Sequence, residues 1–282
     1  MTLLVTAASG HLGRLVLDAL LDRGVEPTTI RAGARRPESL AAYAERGVEV
    51  VPLDYADAGS AEAALDGVDK VLLISGSEVG RRIAQHGNVI DAAAAAGVGQ
   101  LVYTSAPRAT DTALVLAPEH KATEELIAAS GLPATILRNN WYTENYAQDL
   151  EVAREHGVLV TSAGDGRVPS ASRADFAAAA AVVLTTEGHV GQVYELAGDV
   201  AWDFPALAAA MSEVVGRDVA LQQLTPEERV VQLQQLGVDE GTAGFVAALE
   251  GNIRDGALDH TDGTLSRLIG RPTTPLVEGL RT

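Results

Sequence analysis

The 282-residue sequence has no cysteine, only two methionines and two tryptophans, and few aromatic residues of any kind (4%). Without cysteine it can form no disulfide, thiolate metal site or cysteine nucleophile. Basic residues are also scarce, 21 against 38 acidic ones, and the formal net charge is −17. That balance excludes a polybasic membrane binder and a non-specific nucleic-acid binder, since both need a positive field. No apolar run is long enough to span a bilayer. The N-terminus enters a strand pattern at once, with no basic segment ahead of an apolar one, so no signal peptide is expected. These absences predict a cytoplasmic protein with no nucleic-acid or membrane partner. The histidines show no metal-ligand spacing with one another or with paired carboxylates. Neither a Gly-x-Ser-x-Gly elbow nor a Gly-Lys-Ser/Thr phosphate loop occurs.

What is present is a 47% hydrophobic chain, enough for a substantial core. Leu3-Leu4-Val5 runs into the small-residue turn Thr6-Ala7-Ala8-Ser9-Gly10-His11-Leu12-Gly13, and helical periodicity begins immediately (Leu12, Leu15, Val16, Leu20). A buried strand, a tight turn and a helix N-terminus in that order form an anion site, because free N–H groups and the helix dipole converge there. Ala7 stands where a G-x-x-G-x-x-G turn has its first glycine. Short apolar stretches at 28–34, 48–53, 70–75, 100–105 and 134–138 alternate with helical patterns at 37–46, 61–65, 80–96 and 117–130. This alternation predicts an α/β fold, a Rossmann-type doubly wound parallel sheet. After about residue 140 the pattern becomes mixed and more helical. The expected division is a dinucleotide-binding domain over 1–140, with 171–198 packing back on it, and a smaller mixed α/β substrate domain over 141–282.

Ligands of such sheets sit at the carboxyl ends of the strands, and candidate residues are read there. Thr6, Ala8, Ser9, Gly10, His11 and Leu12 would surround a diphosphate. An NAD site needs an acid at the end of the second strand; this chain has Arg35-Arg36 instead. Two guanidinium groups suit a 2′-phosphate, so the predicted cofactor is NADPH (NADP+); two solvated arginines are the alternative. Asp54 and Tyr55 would meet the adenine, or simply cap and fill the third strand's end. Ser75, Gly76 and Ser77 would lie under the ribose and nicotinamide. Thr104 and Ser105 end the fifth strand, as contacts or as caps. No tyrosine has a lysine four residues on, so the Tyr-x-x-x-Lys pair of short-chain dehydrogenases is absent. At the matching place, His120 and Glu124 share a helical face. His120 is the candidate proton donor, or else an exposed histidine at a helix start. Asn139 could contact the nicotinamide carboxamide, while Asn140, Trp141 and Tyr142 could wall a planar substrate pocket; an anchor at a domain junction is the alternative.

The segments Leu72–Gly80, Arg138–Tyr146, Ala163–Gly166, Ser172–Asp175, Val193–Asp199 and Leu268–Thr274 resemble the NmrA-like, atypical short-chain dehydrogenase/reductase group, and most of all its type 2 NAD(P)H:quinone oxidoreductases. The likeness runs end to end. It implies NADPH at Ser9, Gly10, His11, Leu12, Arg35, Ser75 and Asn139–Tyr142, and a small quinone in a cleft between domains. Such an enzyme passes hydride to a quinone or similar conjugated carbonyl without a tyrosine–lysine pair. A non-catalytic NADP(H)-binding redox sensor of the NmrA type is the alternative, and a homodimer is left open.

Overall fold

A computed structural model describes residues 1–281. The chain runs β1 (Leu3–Val5), α1 (His11–Asp22), β2 (Ile30–Ala34), α2 (Ala41–Glu45), β3 (Glu49–Pro52), α3 (Ala58–Leu65), β4 (Lys70–Leu73), α4 (Arg82–Ala95), β5 (Gln100–Ser105), α5 (Ala117–Ser130) and β6 (Ala134–Asn139). It continues through α6 (Ala147–His156), β7 (Val158–Thr161), β8 (Arg167–Val168), α7 (Arg173–Thr185), β9 (Val193–Leu196), β10 (Trp202–Asp203), α8 (Phe204–Val215) and β11 (Ala220–Gln223). The last helices are α9 (Pro226–Gln235), α10 (Glu240–Arg254), α11 (Thr264–Ile269) and α12 (Leu276–Gly279).

Two compact units make up the chain. The first comprises Met1–Ala109, Pro118–Asn139 and Arg173–Glu195; the second comprises Thr110–Ala117, Asn140–Ser172 and the chain from Leu196 onward. The first holds the seven-stranded sheet, in the order β3-β2-β1-β4-β5-β6-β9. β1 pairs in parallel with both β2 and β4, so the winding reverses at β1. The inner strands β1 and β4 are buried and largely apolar because helices cover both faces, whereas the edge strands β3 and β9 expose Glu49 and Val193. Leu4, Leu73, Leu101, Tyr103 and Ile136 face a cluster with Ala61, Leu65, Val89, Ile90 and Ile127 from α3, α4 and α5. The alternate residues Leu3, Val5, Leu72 and Val102 are fully buried on the other side, where α1 packs on α7. The run of buried alanines in α7, Ala177 and Ala179–Ala181, allows that close approach.

The second unit contains a parallel pair, β7 with β11, and an antiparallel pair, β8 with β10. A capping box starts α9: Thr225 takes the Glu228 N–H, and Glu228 takes the Thr225 N–H. Asp239 caps α10 through the Thr242 N–H.

The doubly wound fold is the one the alternation predicts, with differences at element ends. β2 begins at Ile30 rather than Thr28, because Pro27–Thr29 forms a 3₁₀ turn closed by Thr29 Oγ1 on the Glu26 carbonyl. Among the described residues, no helix is long and apolar enough to cross a membrane.

Candidate cofactor and active site

The β1–α1 loop is shaped by one left-handed residue and two close contacts. Ala7 adopts φ +46°, the left-handed region that usually calls for glycine. Its carbonyl accepts the Gly10 N–H at 3.0 Å. Gly13 lies so near that a Cβ there would be 2.5 Å from the Ala7 oxygen and 2.7 Å from Ala8 Cα. Glycine at 13 therefore lets α1 start directly on the loop. Gly10 is the N-cap of α1 and, among the described residues, no side chain caps it. The first turn contains no acid. The helix start thus keeps its N–H groups and positive dipole end for an anion. Arg14, which sequence reasoning missed, clamps the loop from behind by donating to the Ser9 carbonyl at 3.1 Å and the Ser39 carbonyl at 2.7 Å. Of the predicted diphosphate residues, Gly10 and His11 are exposed, Ser9 is half-buried, and Thr6, Ala8 and Leu12 are buried.

Arg35 and Arg36 stand exposed just past β2. Glu78, in the loop after β4, accepts from Arg35 Nη1 at 3.3 Å and from Arg81 Nη1 at 3.3 Å. Asp54 folds back on its own turn, taking the Ala56 N–H at 3.0 Å. Tyr55 is buried, and burial pushes its phenol well above the ordinary range. Its hydroxyl donates to the Ile74 carbonyl at 2.8 Å and pairs with Thr6 Oγ1. Thr6 Oγ1 in turn takes the Ile74 N–H at 3.0 Å. Thr6 and Tyr55 therefore spend their polar groups on the β1–β4 seam.

The Ser75–Ser77 loop is pinned from three sides. Thr104 Oγ1 takes the Ser75 N–H at 2.9 Å, His86 Nε2 takes the Gly76 N–H at 2.9 Å, and Arg82 Nε donates to the Gly76 carbonyl at 2.6 Å. Accepting through Nε2 puts the proton of His86 on Nδ1, which faces Thr123 Oγ1 at 2.9 Å. His86 is fully buried. Desolvation first, and Arg82 second, pull its pKa down to about 4. The signal for it in the sequence was a histidine among the buried positions of an apolar helix, beside Val89, Ile90 and Ala93.

His120 is buried rather than exposed, with Nδ1 2.9 Å from the Tyr103 hydroxyl. Desolvation, then Arg82 and His86, pull its pKa down to about 3. Pulled down this far, the ring is uncharged near neutral pH. Glu124, its partner in the spacing argument, is engaged elsewhere. It accepts from Ser105 Oγ at 2.6 Å and from Arg138 at 2.6 and 3.0 Å. Arg138 also reaches Glu195 at 2.9 Å. The other Glu195 oxygen takes the N–H of Arg108, itself at φ +49°. Asn139 ends β6 and is buried.

The structure therefore gathers the predicted cofactor residues at the carboxyl ends of β1–β6 in the first unit. Asn140, Trp141 and Tyr142 belong to the second. Asn140 takes the Trp141 N–H on its own Oδ1 at 2.7 Å and donates to the Leu258 carbonyl at 3.0 Å. Its amide is thus used in holding the segment. Trp141 and Tyr142 are half-buried, and Tyr142 bridges to Ala171. Among the described residues, no cluster of three or more His, Asp or Glu is arranged to hold a metal ion.

A strand–turn–helix anion site at the reversal of a doubly wound parallel sheet defines a Rossmann-type dinucleotide-binding protein. Residues 7–187 match the NAD(P)H-binding family, and the chain belongs to that family. It is 45% identical to quinone oxidoreductase 2 of Escherichia coli (strain K12), over 98% of this chain and 96% of that protein. The crystal structure of the NADPH-dependent quinone oxidoreductase from Escherichia coli complexed with NADPH superposes with a TM-score of 0.95. That match has 44% identity and covers 99% of this chain and 98% of the other. The Citrobacter sp. triphenylmethane reductase complexed with NADP(H) gives a TM-score of 0.93 at 39% identity, covering 99% of each chain. The likeness carried by Arg138–Tyr146 and the other quoted segments thus extends over the whole fold.

Proposed function

We propose that this protein is an NADPH-dependent oxidoreductase that reduces quinones or similar conjugated carbonyls by two electrons. The observation that carries the reading is the open, uncapped start of α1 beneath left-handed Ala7, with Arg35 at the end of the neighbouring strand. The residues present fit a phosphorylated dinucleotide: the loop offers N–H groups to a diphosphate, and Arg35 and Arg36 offer guanidinium groups to a 2′-phosphate. When bound, NADPH supplies a hydride from its nicotinamide ring. The full-length likeness to the Escherichia coli quinone oxidoreductase supports a quinone as acceptor.

The chain's own residues position the ligands. His86, Thr104 and Arg82 hold the Ser75–Ser77 loop at a fixed height, and Asn139 supplies an amide at the end of β6. Trp141 and Tyr142 provide flat surface for a planar substrate. Reduction of an ordinary ketone leaves a strongly basic alkoxide, so a placed acid helps greatly. A reduced quinone is a phenolate-like oxygen that takes its proton from water. The uncharged, buried His120 and the missing tyrosine–lysine pair suit the second case. A small molecule rather than nucleic acid as partner fits the net charge of −17, and the cytoplasm is the proposed location. Steady-state oxidation of NADPH and NADH with a panel of quinones tests the reading. Turnover with NADPH preferred supports it; tight NADPH binding with no turnover on any quinone assigns the protein to the redox-sensor class instead.

A further inference from the structure

The acid that a dinucleotide site with NAD preference carries at the end of β2 is missing from that strand, yet a carboxylate reaches the place from elsewhere. Glu78 lies five residues past the end of β4, and Arg35 is the first residue past β2. Because β2 and β4 flank β1, a side-chain bridge between them crosses the carboxyl end of β1, over the loop that begins at Thr6. The Glu78 Oε1 atom takes Arg35 Nη1 at 3.3 Å; Oε2 takes Arg81 Nη1 at 3.3 Å and Gln85 Nε2 at 3.1 Å. One carboxylate thus sits between two guanidinium groups, where the adenosine ribose of a bound dinucleotide would arrive.

We propose that Glu78 and Arg81, together with Arg35, set the choice between phosphorylated and unphosphorylated dinucleotide, with Glu78 as a carboxylate that a 2′-phosphate displaces. The inference rests on the reading that the protein binds NADP(H). The pairs are long and their arginines are 69% and 72% exposed, and exposed pairs of this kind hold weakly. A phosphate monoester carries more charge than a carboxylate and offers three acceptor oxygens, so it wins both guanidinium groups when it enters. Glu78 then swings to solvent at little cost. An unphosphorylated ribose presents a 2′-hydroxyl, a donor, and Glu78 in its resting position accepts it. The same side chain therefore opposes one ligand and assists the other. This leaves the protein able to use both, with Arg81 as the second phosphate-binding cation.

The test is equilibrium binding of 2′,5′-ADP, 5′-AMP, NADPH and NADH to the full-length protein and to its Glu78→Gln, Arg81→Met and Arg35→Met variants, with thermal melts to confirm folding. Glu78→Gln is expected to tighten 2′,5′-ADP and NADPH by about 3- to 10-fold and to weaken NADH by about 3-fold or more, the range for one exposed charge or hydrogen bond. Arg81→Met is expected to weaken 2′,5′-ADP and NADPH by about 3- to 10-fold and to leave 5′-AMP and NADH unchanged. If the wild-type protein binds 2′,5′-ADP no better than 5′-AMP, the NADP(H) reading itself fails and takes this inference with it. If the wild type discriminates and Arg35→Met abolishes the discrimination, but Glu78→Gln leaves the NADPH-to-NADH ratio within two-fold, only the role of Glu78 is overturned. An Arg81→Met protein with wild-type 2′,5′-ADP affinity removes Arg81 from the site.

Discussion

The buried ring of His86 accepts the Gly76 N–H at 2.9 Å, so a helix in the body of the first unit sets the height of the loop after β4. The bond requires an unprotonated Nε2, and the lowered pKa of about 4 keeps it so. In the unfolded chain the same ring binds a proton below about pH 6.5. Between about pH 6.5 and 4 the unfolded state therefore holds more protons, and stability falls as pH drops through that window. The His86 share of the loss reaches about 3 kcal/mol. Comparing unfolding midpoints of wild type and His86→Gln from pH 7.5 to 4.5 checks this: the wild-type slope should be visibly steeper. His86→Gln should also raise the KM for NADPH more than it changes kcat, because the loop is positioned for binding.

Ala7 at φ +46° and Gly13 beneath it make opposite predictions. Ala7→Gly relieves a left-handed alanine, a strain of about 1–2 kcal/mol, and gives back part of that through the freer unfolded chain. The expected outcome is a melting temperature equal to or slightly above wild type with cofactor binding retained. Gly13→Ala places a carbon 2.5 Å from the Ala7 oxygen, and neither backbone can move aside alone. A stability loss of about 1–3 kcal/mol should be accompanied by weakened NADPH binding.

His120→Gln retains an acceptor for the Tyr103 hydroxyl while removing the ring. If quinone reduction takes its proton from water, kcat should fall by less than about 10-fold, well short of the roughly 100-fold or more of a lost general acid. Its pH profile between 5 and 9 should show no inflection removed by the substitution, since the ring is pulled down to about 3.

Arg138 forks onto Glu124 and reaches Glu195. These bonds, that to Glu124 first, hold its guanidinium pKa above the ordinary range. Arg138→Met leaves two carboxylates with little exposure, Glu124 at 9% and Glu195 at 25%, without their cation. A destabilisation of about 3–5 kcal/mol is expected in urea unfolding. Adding Glu124→Gln to Arg138→Met should recover part of it, which a simple packing defect at 138 would not allow.

The sheet was readable because its inner strands are largely apolar on both faces and its early helices end at glycines, so local pattern and fold agree. The loop Ala7–Gly13 was readable for the same reason: strand, turn and helix are contiguous. The parts that were not readable depend on distant pairing. Glu78 meets Arg35 across 43 positions, so an expectation confined to the end of β2 could not find the carboxylate. His120 sits on a helix whose sequence, Ala-Pro-Glu-His-Lys-Ala-Thr-Glu-Glu, looks solvent-facing; the Tyr103 hydroxyl from β5 is what gives it a buried partner. Thr6 and Tyr55 are polar residues at strand ends, and only the register of β1 on β4 shows that they bond to Ile74.

Hydride transfer from NADPH to a quinone is the central claim, and an anaerobic single-turnover reaction with 1,4-benzoquinone tests it most directly. With NADPH deuterated at C4 of the nicotinamide, the account predicts one hydroquinone per NADPH consumed and a primary isotope effect from only one of the two C4 positions. NADPH bound tightly but left unoxidised by any quinone, or oxidised with no isotope effect from either position and no hydroquinone formed, would contradict it.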